Sequence, residues 1–305
     1  MRVDRIYTSS SNGVCETHAN AVGHTLYAGD AMCGYMAIRR FIRSSVPESQ
    51  LEAITSEVAR RFGEPSAEFE CLEADNWLSV PCVVNERWFV KIIAEQHTFV
   101  HALLTTGRNI GAFSSGTEGF FERFSTPVEM AEHELEATEQ MRELGVAAPE
   151  PIEAFEYEGF GVVVLEYLPN FRTLDELPVE SAESFAAPLF RNLALMHQSG
   201  LAHGDLRAEN VLIAPDASGI ETLYFIDATR VSDGAIDDAK AYDLACALAS
   251  LSPIIGSRAA VDAAVSVYST DDLLAAREFL DFVGLRPDHD FETALVKGEI
   301  EKIAS

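Results

Sequence analysis

The stretch His203-Gly204-Asp205-Leu206-Arg207-Ala208-Glu209-Asn210-Val211-Leu212-Ile213, with the apolar run Leu223-Tyr224-Phe225-Ile226-Asp227 after it, constrains this chain more than any other feature. Apolar residues flank both segments, so their polar groups sit at the ends of short buried elements, where position is well controlled. Two carboxylates and a carboxamide at this spacing suit phosphoryl transfer from a metal-bound nucleotide. Asp205 can orient a hydroxyl nucleophile, while Asn210 and Asp227 can hold the Mg2+ that bridges the phosphates of ATP. An H-x-D tripeptide alone would mean little; the full run with a second Asp downstream is a specific signal.

Around these motifs strands come first and helices after, the order of a two-lobed α+β protein. Residues 49–62 suit an amphipathic helix with Leu51, Ile54, Val58 and Phe62 on one face. Strands are expected at Phe69–Leu72, Leu78–Val84 and Trp88–Ile93, the last two separated by a turn at Asn85-Glu86. Residues 95–128 form a connector containing Gly107, Gly111, Gly116 and Gly119, and one so long is functional or mobile rather than filler. A helix over 129–144 is stopped by Gly145, Pro149 and Pro151. Phe160–Leu168 reads as an apolar strand ended by Pro169, and helices are expected over 181–199, 238–251, 257–268, 271–283 and 290–304. The chain thus divides into an N-terminal extension (1–48), a sheet lobe (49–168) and a helical lobe (169–305).

Lys91 closes the third strand among Trp88, Phe89, Val90, Ile92 and Ile93. An ammonium there is costly unless a counter-charge meets it, and the chain has only three other lysines, Lys240, Lys297 and Lys302. The helix over 129–144 offers Glu132, Glu134 and Glu136 as partners. Such a pair would hold the ammonium over the α- and β-phosphates; the competing reading is a lysine that snorkels from a sheet edge. The strand Val162–Leu168 would connect the lobes. Backbone groups of Glu166 and Leu168 could there read an adenine edge between apolar side chains; the competing reading is a plain core strand.

Together these residues resemble the protein-kinase-like superfamily. His203–Asn210 fits the catalytic-loop pattern H-x-D-L-x-x-x-N, with Arg207 where conventional kinases have a lysine that touches the transferred phosphate. The chain is most similar to the RIO atypical kinases, and its H-G-D-L form is shared with aminoglycoside-phosphotransferase-like small kinases. The likeness continues through Met130-Ala131-Glu132-His133-Glu134-Leu135-Glu136 to Gly145-Val146-Ala147-Ala148-Pro149-Glu150-Pro151-Ile152, and this register implies Glu134 as the partner of Lys91. It implies a bilobal α+β fold: a small antiparallel-sheet N-lobe with an αC helix, and a helical C-lobe in which Asp243 braces the catalytic loop.

The implied activity is Mg-ATP-dependent transfer of a phosphoryl group to a hydroxyl, on a protein Ser/Thr (its own included) or on a small molecule. The alternative is an ATP-binding assembly factor, of the kind that serves ribosome assembly, with little or no kinase activity. Two departures stand out. The loop Glu73-Ala74-Asp75-Asn76-Trp77-Leu78-Ser79 lacks the glycines that let backbone amides approach phosphates, leaving Asn76 as its nucleotide-binding candidate. Arg230 replaces the glutamine of the RIO I-D-x-x-Q pattern. No A-P-E anchor follows Asp227, so a peptide-docking platform is expected to be missing.

The formal charge of -27 and pI near 4.5 accompany 48% hydrophobic residues, and disorder would need low hydrophobicity as well. A halophilic source is expected, where salt screens like charges, and direct binding to nucleic acid or an anionic membrane is disfavoured. Residues 1–43 instead carry five arginines against three acidic residues; a translation start at Met32 or Met36 and a flexible tail explain this equally well. The scattered cysteines Cys15, Cys33, Cys71, Cys82 and Cys246 form no C-x-x-C pair. They argue against a disulfide framework or zinc site and for a reducing cytoplasm. Neither a signal peptide nor a membrane span is expected.

Overall fold

The turn at Asn85-Glu86 shows how locally the sheet is specified. Both residues have φ of 52°, the left-handed conformation, and with Arg87 they make the three-residue loop of a hairpin. It joins β2 (Val80–Val84) to β3 (Trp88–Ile93), with Val84 opposite Trp88 and Pro81 opposite Lys91. With β1 (Phe69–Cys71), β4 (Pro151–Tyr157) and β5 (Phe160–Glu166), these form an antiparallel sheet of order β1-β2-β3-β5-β4. The computed structural model describes residues 46–72, 79–98, 121, 123–229, 235–286 and 288–305. The expectations for residues 1–45, Asn76, Arg230 and most of the connector 95–128 lie outside the described residues.

Helix α1 (Glu48–Arg61) buries Ile54 and Val58 against Val80, Cys82, Val90 and Val164 of the sheet, with Leu51 and Phe62 at the margin. Helix α2 (Pro127–Glu143) covers the other side, packing Met130 and Ala131 against Ile93, Val163 and Leu165. Its start is well specified. Thr126 caps it by accepting from the Glu129 amide, Pro127 occupies the first turn, and the Glu129 carboxylate accepts from the Ser125 amide. Helix α2 approaches β5 so closely that a Cβ on Gly161 would lie 2.0 Å from the Pro127 carbonyl oxygen. Gly145, at φ 80°, follows the helix in the left-handed conformation that glycine adopts without penalty.

Strand β4 was not expected, because Pro149 and Pro151 read only as helix stops. Pro151 opens an edge strand, where a missing amide costs no ladder bond, and Glu158-Gly159 turn the chain back into β5. The cysteine expectation is also corrected. The β1–β2 register places Cys71 opposite Cys82, Cα atoms 4.0 Å apart, and the two form a disulfide. Their separation of 11 residues hid a cross-strand pair that only the register reveals.

A second antiparallel sheet, β6 (Arg172–Thr173), β7 (Val211–Pro215) and β8 (Glu221–Phe225), borders the helical lobe. That lobe contains α3 (Val179–Gln198), α4 (Ile236–Ile255), α5 (Ser257–Val265), α6 (Thr270–Gly284) and α7 (Thr293–Ala304). Nearly every residue of α4 from Ala241 to Ser252 is buried, as expected of a helix apolar all round. It is the central post of the lobe, and its Tyr242 and Asp243 stand next to the candidate site. No helix among the described residues is long and apolar enough to cross a membrane.

Candidate active site

Lys91 lies on β3, 3% exposed. Its ammonium donates to Glu134 Oε1 at 2.6 Å and is also ion-paired with Asp227. Two carboxylates therefore offset the desolvation of one buried ammonium. Of the three candidate glutamates, Glu132 and Glu136 are exposed, and only Glu134 points to the lysine.

Asp227 stands two residues beyond β8 with φ of 64°. A non-glycine residue in this region is strained, and such strain persists where surrounding bonds impose it. The Ile226 amide donates to the Asn210 carbonyl (3.1 Å), and the Thr229 amide donates to the His203 carbonyl (2.8 Å). His203 Nε2 meets the Ile226 carbonyl at 2.9 Å and so must donate, which leaves Nδ1 to accept from the Asp205 amide at 3.4 Å. Burial pushes the His203 pKa down, so the ring is neutral in this role.

The loop before β7 is held from beneath by Asp243, which is fully buried. Its carboxylate accepts from the amides of His203 (2.6 Å) and Gly204 (2.8 Å) and from His197 Nε2 (3.2 Å), while the Tyr268 hydroxyl donates to His197 Nδ1 (2.9 Å). Asn210, 2% exposed, donates from Nδ2 to the Asp205 carbonyl (2.8 Å) and accepts from Arg207 Nη2 (3.3 Å). Arg207 also donates to Glu209 Oε2 (2.9 Å) and lies 3.7 Å from Asp205 Oδ2.

Sequence reasoning missed the groups that meet the Asp205 side chain. Arg286, between α6 and α7, donates from Nη2 to Asp205 Oδ1 at 2.8 Å. It also bonds Tyr242 and Asp288. Burial opposes the Arg286 charge, but Tyr242, Asp205 and Asp288 more than offset this and hold its pKa well above the ordinary value. Burial pushes the pKa of neighbouring His289 down to about 3, helped by Arg286. Polar residues in a turn between two helices carry no distinctive signal, which is why these escaped notice.

The strand linking the lobes is more committed than expected. The Glu166 amide donates to the Glu150 carbonyl (2.8 Å), so it is not available to an adenine edge, and the Tyr167 amide donates to Arg87 (3.1 Å). Leu168 is buried with Leu212, Ala214 and Tyr224.

Asn210 and Asp227 offer hard oxygen donors at adjoining strand ends, which suits Mg2+, an ion commonly held by one or two carboxylates plus substrate phosphates. No cluster of three or more His, Cys, Asp or Glu side chains able to hold a metal occurs among the described residues. Residues 120–239 match the family model described as the RIO domain. That segment, somewhat over a third of the chain, is similar to a RIO domain. The match takes in α2, the catalytic loop and Asp227 and leaves Lys91 outside it. No curated protein matches the chain.

Among solved structures, the Chaetomium thermophilum Rio2 kinase–ADP/Mg2+–phosphoaspartate complex is 16% identical, with 82% of this chain and 74% of that one covered at a TM-score of 0.42. A putative fructosamine-3-kinase from Haemophilus somnus is 11% identical, with 83% and 97% covered at a TM-score of 0.43. The Mycobacterium tuberculosis PknI kinase domain, as a double mutant, is 13% identical, with 78% and 96% covered at a TM-score of 0.38.

Proposed function

We propose that this protein, similar to a RIO domain over residues 120–239, transfers the γ-phosphoryl group of Mg-ATP to a hydroxyl, on a protein (itself included) or on a small molecule. One observation carries the reading: the Lys91 ammonium joins Glu134 to Asp227, and Asp227 is tied through Ile226 and Asn210 to the loop bearing Asp205. Lys91, held by Glu134, grips the phosphates. Asn210 and Asp227 would hold Mg2+, which would supply neutralisation of phosphate charge when bound. Asp205 orients the acceptor hydroxyl and takes its proton. The acceptor oxygen bonds the γ-phosphorus as the bond to the β–γ bridging oxygen breaks, leaving ADP. Arg207 faces the phosphoryl group in transit.

The acidity of the chain makes molar KCl the appropriate medium for the test. With γ-labelled ATP and Mg2+, label should pass to the protein itself or to a lysate component. Release only as inorganic phosphate would replace this reading with an ATP-driven assembly factor. Asp205→Asn should lower turnover by roughly 10²–10⁴-fold with nucleotide affinity nearly unchanged; equal rates in variant and parent would remove Asp205 from the role.

A further inference from the structure

The turn between α6 and α7 belongs to no motif, yet it holds the side chain on which the proposed chemistry depends. Arg286 is 8% exposed, and each of its nitrogens is engaged. Nε donates to Asp288 Oδ1 at 2.9 Å, Nη2 to Asp205 Oδ1 at 2.8 Å and also to Asp288 Oδ2, and Nη1 to the Tyr242 hydroxyl. The bidentate grip of Asp288 fixes the plane of the guanidinium, and that plane sets the direction from which Nη2 meets Asp205. With Oδ1 tied, rotation of the Asp205 carboxyl about its last torsion is blocked, and the direction of Oδ2 is set too.

The tie also converges with the brace below. Helix α4 supplies consecutive residues to the same loop: Asp243 holds the backbone amides of His203 and Gly204, and Tyr242 backs the arginine that holds the Asp205 side chain. Backbone and side chain of the loop are thus fixed independently, from one post. A stabilising ion pair would need only Asp288; the bond to Asp205 is what it would not need.

We infer that Arg286 is a positioning residue for Asp205, through which the turn between α6 and α7 sets the geometry of the hydroxyl-orienting carboxylate. This rests on the role proposed above for Asp205. It goes beyond that role in making the distal C-terminal helices part of the phosphoryl-transfer machinery.

The test is a double-mutant cycle of Arg286→Gln with Asp205→Asn, reading kcat, KM for ATP and amide hydrogen exchange over residues 203–206. Arg286→Gln should lower kcat by about 10–10²-fold, the scale of a displaced catalytic group, with KM for ATP within about twofold. Arg286→Lys, which keeps the charge but loses the fork, should fall between. In the Asp205→Asn background the arginine substitution should cost almost nothing more, because residues that act as one unit are not additive. An equal loss in both backgrounds, or a raised KM with kcat unchanged, overturns the inference. If Arg286→Gln does not fold, Asp288→Asn, which loosens the guanidinium without removing it, enters the same cycle with the same expectation. Should Asp205→Asn leave turnover unchanged, the proposed role of Asp205 fails, and exchange decides the tie itself. Faster exchange at 203–206 with the β1–β3 amides unmoved supports it, and unchanged exchange there overturns it.

Discussion

The two halves of the site solve the same electrostatic problem with different cations. On the sheet side one ammonium, Lys91, serves two carboxylates, Glu134 and Asp227. On the helical side two guanidiniums, Arg207 and Arg286, are shared among Asp205, Asp288, Glu209 and the Asn210 carboxamide. An ammonium is a compact point charge that can be shared along a phosphate chain; a guanidinium is a planar fork that fixes the geometry of what it binds. On the proposed function the first half holds a ligand and the second holds a side chain. In a chain with only four lysines, keeping one at position 91 marks the difference.

The largest effect that separates the halves should follow Lys91→Met. Removing one member of a buried ion pair costs about 3–5 kcal/mol when the remaining charge is stranded. Here Glu134 and Asp227 keep side-chain exposures of 13% and 20%, so the lower end is expected. KM for ATP should rise strongly, whereas Asp205→Asn should spare it. Equal KM changes in the two variants, measured beside denaturant unfolding, would dissolve the distinction between a ligand-holding and a side-chain-holding half.

The next effect belongs to the helical half alone. Burial and Arg286 lower the His289 pKa from 6.5 to about 3 in the folded protein. Below pH 6.5 the unfolded chain binds a proton there that the folded chain does not. Stability contributed by this residue is therefore complete above pH 6.5 and is lost as pH falls toward 3, by on the order of 5 kcal/mol at most. His289→Gln should flatten the fall of stability across that window, with a residual slope from His203, whose pKa is also lowered by burial. An unchanged slope in urea unfolding between pH 6 and 4 would show that His289 does not titrate with folding.

Residues of the site also differed in how far sequence could anticipate them. Lys91, Asp205, Asn210 and Asp227 stood out as candidates from their places in short apolar-flanked segments, and Glu134 was singled out from Glu132 and Glu136 only by the register of the resemblance. Arg286, which meets Asp205, and Asp288 and Tyr242, which meet Arg286, were not anticipated, because tertiary packing alone brings them there: Arg286 lies 81 residues from the aspartate it binds. The Cys71–Cys82 bond failed for a related reason, since strand register decides which residues face each other and no local pattern states it. Closing so short a loop should stabilise the sheet half by roughly 3 kcal/mol. Reductant, or a Cys71→Ser/Cys82→Ser pair, should remove that from the unfolding free energy and leave the exchange rates of α4 and the catalytic loop untouched.

The smallest prediction sharpens the comparison most finely. Thr126 accepts from the Glu129 amide at 3.2 Å and so caps the helix that carries Glu134. Thr126→Ala should cost about 1 kcal/mol, the usual worth of such a cap. Glu134 lies two turns further on, and Gly161 presses the start of α2 against β5. Fraying of the first turn would therefore be confined by that contact before it reached the glutamate. KM for ATP should then stay within about twofold of the parent while amide exchange rises only near Glu129. A rise in KM comparable to that of Lys91→Met would mean that the orientation of Glu134 depends on the cap, and the sheet half would be as finely positioned as the helical one.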